Sequence, residues 1–71
     1  MIEVDLDEML ERRGMTLTEL SRRVGITLAN LSNLKRNAAR AIRFSTLDAL
    51  CRELDCQPGE LLRYSADGDD R

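Results

Sequence analysis

The stretch "LTELSRRVGITLANLSNLKR", residues 17–36, decides the reading of this chain. Two short amphipathic segments flank a central glycine. Leu17, Leu20 and Val24 recur at helical spacing before Gly25, and Leu31 and Leu34 recur after it. Thr16 precedes the first segment, with Glu19 three residues on, the pattern of a capping box. Thr27 opens the second segment in the same way. Gly25 tolerates the positive φ that a tight turn between two helices demands. Ser21 is small enough to sit where two steeply crossed helices meet, and Ile26 supplies an apolar contact just past the turn. The spacing predicts a helix–turn–helix unit over 17–36.

Working outward, Asp5 with Glu8 predicts the start of an earlier helix, carried by Leu6, Met9 and Leu10 and ended by Gly14 after Arg13. Residues 37–44 lose the helical period and read as a loop holding Asn37, Arg40 and Arg43. Ser45 with Asp48 predicts the cap of a fourth helix, whose stripe is Leu47, Leu50, Cys51 and Leu54. Gln57-Pro58 opens a short fifth helix anchored by Leu61 and Leu62, since proline suits the first helical position. Ile2 and Val4 alternate with acids, and Leu62 and Tyr64 alternate likewise. These ends suit a short strand pair, formed within one chain or across a dimer. The fold class expected is all-α, five short helices with a short terminal strand pair. One domain is expected over 1–65, followed by a flexible acidic tail at 66–71.

Composition narrows the function. With 71 residues, one Phe, one Tyr and no Trp, the chain has an aliphatic core and little room for an enclosed pocket. There is no His, no catalytic trio and no Cys/His cluster with metal-ligand spacing, so no enzyme, cofactor, metal site or small-molecule substrate is expected. No apolar run approaches the ~20 residues of a membrane span. The N-terminus is acidic and lacks a basic leader, so no signal peptide is expected and the expected location is the cytoplasm. Cys51 and Cys56 are five apart, a spacing that one continuous helix would hold beyond disulfide reach. Both read as small core hydrophobes.

The net charge of −2 hides an uneven distribution. Residues 1–11 carry five acids and no base, residues 12–43 carry eight bases and one acid, and residues 44–71 carry seven acids and three bases. The basic block coincides with the helix–turn–helix unit, and a basic block between acidic ends points to nucleic acid more than the total does. On a helical wheel with Leu31 and Leu34 inward, Ala29, Ser32, Asn33 and Arg36 point outward, with Leu28, Asn30 and Lys35 on the flanks. Such a small, polar face can sit deep in a major groove. Asn33 suits a bidentate contact to adenine, Ser32 a base edge or phosphate, Leu28 and Ala29 thymine methyls, and Asn30 a base or the backbone. Lys35, Arg36, Arg40 and Arg43 suit phosphates. Thr16 and Thr18, and Thr27 at the start of the reading helix, lie where free amides and hydroxyls meet the backbone. Arg12, Arg13, Arg22 and Arg23 read as solvated or paired with acids of the first helix.

The segments "MTLTELSRRVGIT" (15–27), "LSNLKRN" (31–37) and "STLDALCRELDCQPGELL" (45–62) resemble the Cro-type, lambda-repressor-like helix–turn–helix regulators, the XRE family. The resemblance covers about residues 5–63. It implies five helices, with the second and third as the DNA-binding pair. It implies sequence-specific binding of double-stranded DNA by a homodimer, with regulation, chiefly repression, through promoter occupancy. It also implies that the loop holding Arg40 and Arg43 lies along the DNA backbone, with Arg43 near a minor groove. The chain departs from the family pattern where Leu17 replaces a polar residue at the start of the second helix. It departs again where Leu28 and Ala29 replace a common Gln, and where Leu10 and Lys35 replace an Arg–acid pair. The rival expectation is an antitoxin-like or accessory protein-interaction module built on the same helices.

Overall fold

The computed structural model describes residues 1–66. Apart from Ala66, the expected acidic tail lies outside the described residues. In chain order the elements are β1 (Ile2–Val4), α1 (Leu6–Arg13), α2 (Leu17–Val24), α3 (Leu28–Lys35), α4 (Phe44–Leu54), α5 (Pro58–Leu61) and β2 (Leu62–Tyr64). β1 and β2 pair antiparallel within the chain, Ile2 opposite Tyr64, Glu3 opposite Arg63 and Val4 opposite Leu62.

The core is almost wholly leucine. Leu6, Met9 and Leu10 of α1 meet Leu20 of α2, Leu31 and Leu34 of α3, Leu50 and Leu54 of α4, and Leu61 of α5. Neither aromatic side chain joins them: Phe44 is 86% exposed and Tyr64 71%. Val24, Ile26, Leu47, Cys51 and Cys56 pack around the rim. Short helices joined by tight turns can bury this many leucines because each contributes one face only.

The turn between α2 and α3 forms as its residues require. Gly25 adopts φ 70°, and its N–H donates to the Ser21 carbonyl at 3.0 Å. The Ser21 hydroxyl reaches across the turn and donates to the Ile26 carbonyl. Ser21 is thus more than a small residue at a crossing: it bonds the end of α2 to the entry of α3. Thr16 caps α2 by accepting from the Glu19 N–H at 3.1 Å. The reciprocal half of that box is absent, because the Glu19 carboxylate pairs with Arg23 at 2.7 Å.

Two other expected caps do not form. Asp5 stands at the start of α1 without a side-chain cap bond. Its carboxylate instead takes two hydrogen bonds from Arg63, each 3.0 Å, across the ends of the sheet. This pairing draws the Asp5 pKa below its ordinary value of 3.8. The Ser45–Asp48 cap is displaced by one turn geometry: α4 begins at Phe44, with extended Arg43 as its cap residue and the Leu47 N–H bonded to the Arg43 carbonyl at 3.0 Å. Ser45 lies inside the helix, and Asp48 pairs with Arg52 at 3.3 Å.

The far end of α4 falls where the leucine stripe ends, and both cysteines are free. The helix stops at Leu54, Asp55 turns left-handed (φ 52°), and the Cys56 N–H returns to the Cys51 carbonyl at 3.0 Å. Cys51 thus lies on the helix and Cys56 just past it. Arg13 closes this end by donating to the carbonyls of Leu54 (2.6 Å) and Asp55 (2.9 Å). It caps a helix, where pairing with acids of α1 was the expectation.

These caps separate in a stability measurement. Thr16→Ala is expected to cost about 1 kcal/mol in denaturant unfolding, the usual loss for a helix N-cap. Ser45→Ala is expected to stay within about 0.5 kcal/mol, as for an exposed position with no special role. The Asp5–Arg63 pair has a signature in acid. Because the folded pKa of Asp5 is depressed, its contribution is present above pH 3.8 and is lost as the pH falls through the folded value. Thermal melts of Arg63→Gln should lie below those of the parent at neutral pH and converge with them below pH 3.8.

Candidate nucleic-acid interface

Thr27 sets the start of α3. Its hydroxyl accepts from the Asn30 N–H at 3.2 Å, which caps the helix and holds Asn30 in the first turn. Leu31 and Leu34 face the core. The side turned to solvent carries Leu28 (46% exposed), Ala29, Asn30, Asn33 and Arg36. Ser32, expected to point outward, is half-buried. The wheel placed the buried centre on the two leucines alone. In the tertiary structure α1 packs on α3, and Lys35, also half-buried, reaches Asp7 of α1 at 3.6 Å. The exposed face is rotated toward Asn30 and Asn33 as a result.

Asn33 and Arg36 are one turn apart and bonded: the Arg36 Nη2 donates to Asn33 Oδ1 at 3.1 Å. One lone pair of that oxygen and both amide protons remain for another partner. Thr16 and Thr18 are exposed at the start of α2, and Thr16 already spends an acceptor on its cap. Arg40 and Arg43 project from the loop that joins α3 to α4.

The distribution of ion pairs is decisive electrostatically. Arg12 pairs with Glu8, Arg23 with Glu19 and Glu53, Arg52 with Asp48 and Arg63 with Glu3 and Asp5. Among the described residues, Arg13, Arg22, Arg36, Arg40 and Arg43 have no carboxylate within 4.0 Å. Arg13 is engaged by helix carbonyls. Three of the remaining four lie at the exit of α3 and on the following loop. Uncompensated positive charge therefore gathers beside the exposed face of α3.

A groove of about 450 Å³ runs between that face and the loop, lined by Asn30, Asn33, Ala39, Ala41, Arg43 and Thr46 among others. Thr46 was not singled out in the sequence. The expected cap at Ser45 placed the start of α4 elsewhere, and an arginine cap residue leaves no compositional signal. No side chain caps α4, and Arg43 and Thr46 at its start both line the groove. Asn37 was read only as a loop residue; it is left-handed (φ 58°) and bonded to β1.

The remaining nucleophiles and charges lie elsewhere. Cys51 and Cys56 line a second groove with Phe44, Leu47 and Pro58. Burial, and then the neighbouring Cys51 thiol, push the Cys56 thiol up to about 11. A thiol so protonated at neutral pH is a poor nucleophile, in keeping with a packing role.

This arrangement matches a family model described as the Cro/C1-type HTH DNA-binding domain over residues 5–67. The chain belongs to that family. Its helix–turn–helix unit is a DNA-binding domain and not an enzyme's active site. It is 57% identical over 68 residues to the protein named "Uncharacterized HTH-type transcriptional regulator YozG" of Bacillus subtilis, covering 96% of this chain and 81% of that one. Among solved structures it is similar to a chain of the SinR protein/SinI protein complex, with a TM-score of 0.70 and 22% identity over 76% of this chain. The match spans about half, 52%, of that chain, and at this identity it speaks for the fold alone. Among the described residues no helix is long and apolar enough to cross a membrane.

Proposed function

We propose that this protein is a sequence-specific regulator of transcription that occupies double-stranded DNA, chiefly as a repressor, with α3 in the major groove. The observation that carries this reading is that, among the described residues, Arg36, Arg40 and Arg43 have no carboxylate within 4.0 Å and lie beside the exposed face of α3. The naming of the Bacillus subtilis relative as a transcriptional regulator supports the same role here.

In this reading Asn33 is the principal base reader. Its free lone pair accepts from the adenine amino group while its amide donates to the ring nitrogen. Leu28 and Ala29 meet thymine methyls, and Asn30 meets a base edge or the backbone. Ser32, on the flank, meets the groove wall. Arg36, Arg40 and Arg43 neutralise phosphates and set register without reading sequence. Lys35 joins them by exchanging Asp7 for a phosphate. Thr16, Thr18 and Thr27 bond the backbone near the helix starts.

The protein acts on DNA as a homodimer, which places two copies of α3 about 34 Å apart on a two-fold site. The face that best suits a second copy is the groove of Phe44, Leu47, Cys51, Cys56 and Pro58. It presents the most exposed of the large apolar side chains, and exposed apolar surface of this kind marks an interaction site.

Selection of bound duplexes from a random pool tests the reading directly, and a palindromic consensus is expected. Flat, nonspecific binding together with tight capture of a protein partner would favour an accessory protein-interaction module instead. On the selected site, Asn33→Ala is expected to cost roughly 1–3 kcal/mol and to relax choice at one base pair. Arg40→Ala is expected to weaken all duplexes alike and to reduce the salt slope by about one. In sedimentation, Phe44→Ser should shift the protein toward monomer and weaken the palindrome more than a single half-site.

A further inference from the structure

Asn37 joins two parts of the molecule that are far apart in sequence. Its side-chain Oδ1 accepts from the Val4 N–H at 2.6 Å, across 33 residues. The direction of that N–H matters. In an antiparallel pair, successive residues alternate between facing the partner strand and facing away. The Asp5 N–H donates to the Leu61 carbonyl at 2.7 Å, and the Ser65 N–H donates to the Met1 carbonyl at 2.8 Å. Odd-numbered residues of this strand therefore bond to β2, and the Val4 N–H projects from the outer edge. Asn37 occupies that edge.

The residue suits the task twice over. Just past α3 the chain needs a left-handed residue, and Asn is among the few side chains that accept this conformation readily. Asn37 adopts φ 58°, and its own N–H donates to the Leu34 carbonyl at 3.0 Å. A glycine would serve the backbone equally but would leave the strand edge without an acceptor. The sheet on which Asn37 is moored is itself braced, since Arg63 of β2 holds Glu3 at 2.9 Å and Asp5 at 3.0 Å.

Beyond Asn37 the loop has little to hold it. Ala38, Ala39 and Ala41 are exposed and small, and Ile42 is the next half-buried side chain. A cavity of about 210 Å³ separates Ala39, Arg40 and Ala41 from Ile2, Val4 and Leu62, so the loop stands off the sheet. Its start is tied to α3 by the Ala38 N–H to the Asn33 carbonyl at 2.8 Å and to the sheet by the Val4–Asn37 bond, and its far end is held by Ile42. Arg40 rides between them.

We propose that Asn37 is a positioning residue for DNA binding: through the Val4 amide it moors the 37–43 loop to the terminal sheet and so sets where Arg40 and Arg43 meet the phosphates. The inference rests on the reading that this loop contacts the DNA backbone. It gives the terminal strands a part in recognition although they touch no DNA themselves.

A double-mutant cycle on the selected duplex tests it, using Asn37→Gly, Arg40→Ala and both together. Asn37→Gly keeps the left-handed backbone and removes the acceptor. It should weaken DNA by about fivefold, the scale of one lost hydrogen bond, with faster amide exchange at Val4. In the Arg40→Ala background the same change should cost less than about twofold, because two residues acting through one loop are not additive. Val4→Pro removes the donor from the other side, at a strand edge where proline is tolerated. It should reproduce the affinity loss, and it serves as the test if Asn37→Gly does not fold. Full additivity between Asn37→Gly and Arg40→Ala would overturn the proposal, since Asn37 would then touch DNA itself or act through global stability. Unchanged affinity despite faster Val4 exchange would overturn it as well. Wild-type affinity in Arg40→Ala alone would instead overturn the underlying reading that the loop meets DNA.

Discussion

The turn at Gly25 holds α2 and α3 at one angle, and the rest of the molecule is arranged around that angle. A positive φ at Gly25 lets the chain reverse within three residues, and the Ser21 hydroxyl bonded to the Ile26 carbonyl ties the two helices at their junction. Leu20, Leu31 and Leu34 then converge on one point, where α1 and α4 complete the core. Were the turn to open, Leu31 and Leu34 would leave that core, and the polar face of α3 would lose its fixed direction. An exposed reading face is useful only if its opposite side is rigidly buried, because base contacts demand placement to a fraction of an ångström.

Charge is organised with equal economy. The arginines away from α3 and its following loop mostly satisfy structural needs: Arg13 closes the end of α4, Arg63 clasps the terminal strands to Asp5, and Arg12, Arg23 and Arg52 pair along or between helices. Those at the exit of α3 do not. Among the described residues, Glu3, Asp5, Glu8, Asp48, Glu53 and Glu60 are paired with arginines away from α3, and Asp7 alone reaches it, at Lys35. A protein with net charge −2 can in this way present a locally positive surface to a polyanion.

Much of this was legible in the residues. The helix–turn–helix unit, both threonine caps flanking it, the left-handed glycines and the leucine core all follow from spacing, since helical period and capping chemistry are local properties. The failures have a common cause. Asp5 did not cap α1 because Arg63, 58 residues away, competes for its carboxylate. Ser45 did not cap α4 because the helix starts two residues earlier, with Arg43 as its cap residue. Ser32 is half-buried because helices packed on α3 cover more of it than the two leucines alone mark.

The sequence by itself determined that the chain forms short amphipathic helices, where the recognition turn falls, and that basic residues gather there. Those are matters of periodicity, backbone freedom and composition. Only the tertiary structure decided which side of α3 remains exposed and that Asn37 belongs to the edge of a strand beginning at Ile2. Each depends on groups brought together across 28 or more residues, as with Lys35 and Asp7. No local pattern encodes such a meeting; it exists once the leucine core has set the helices against one another.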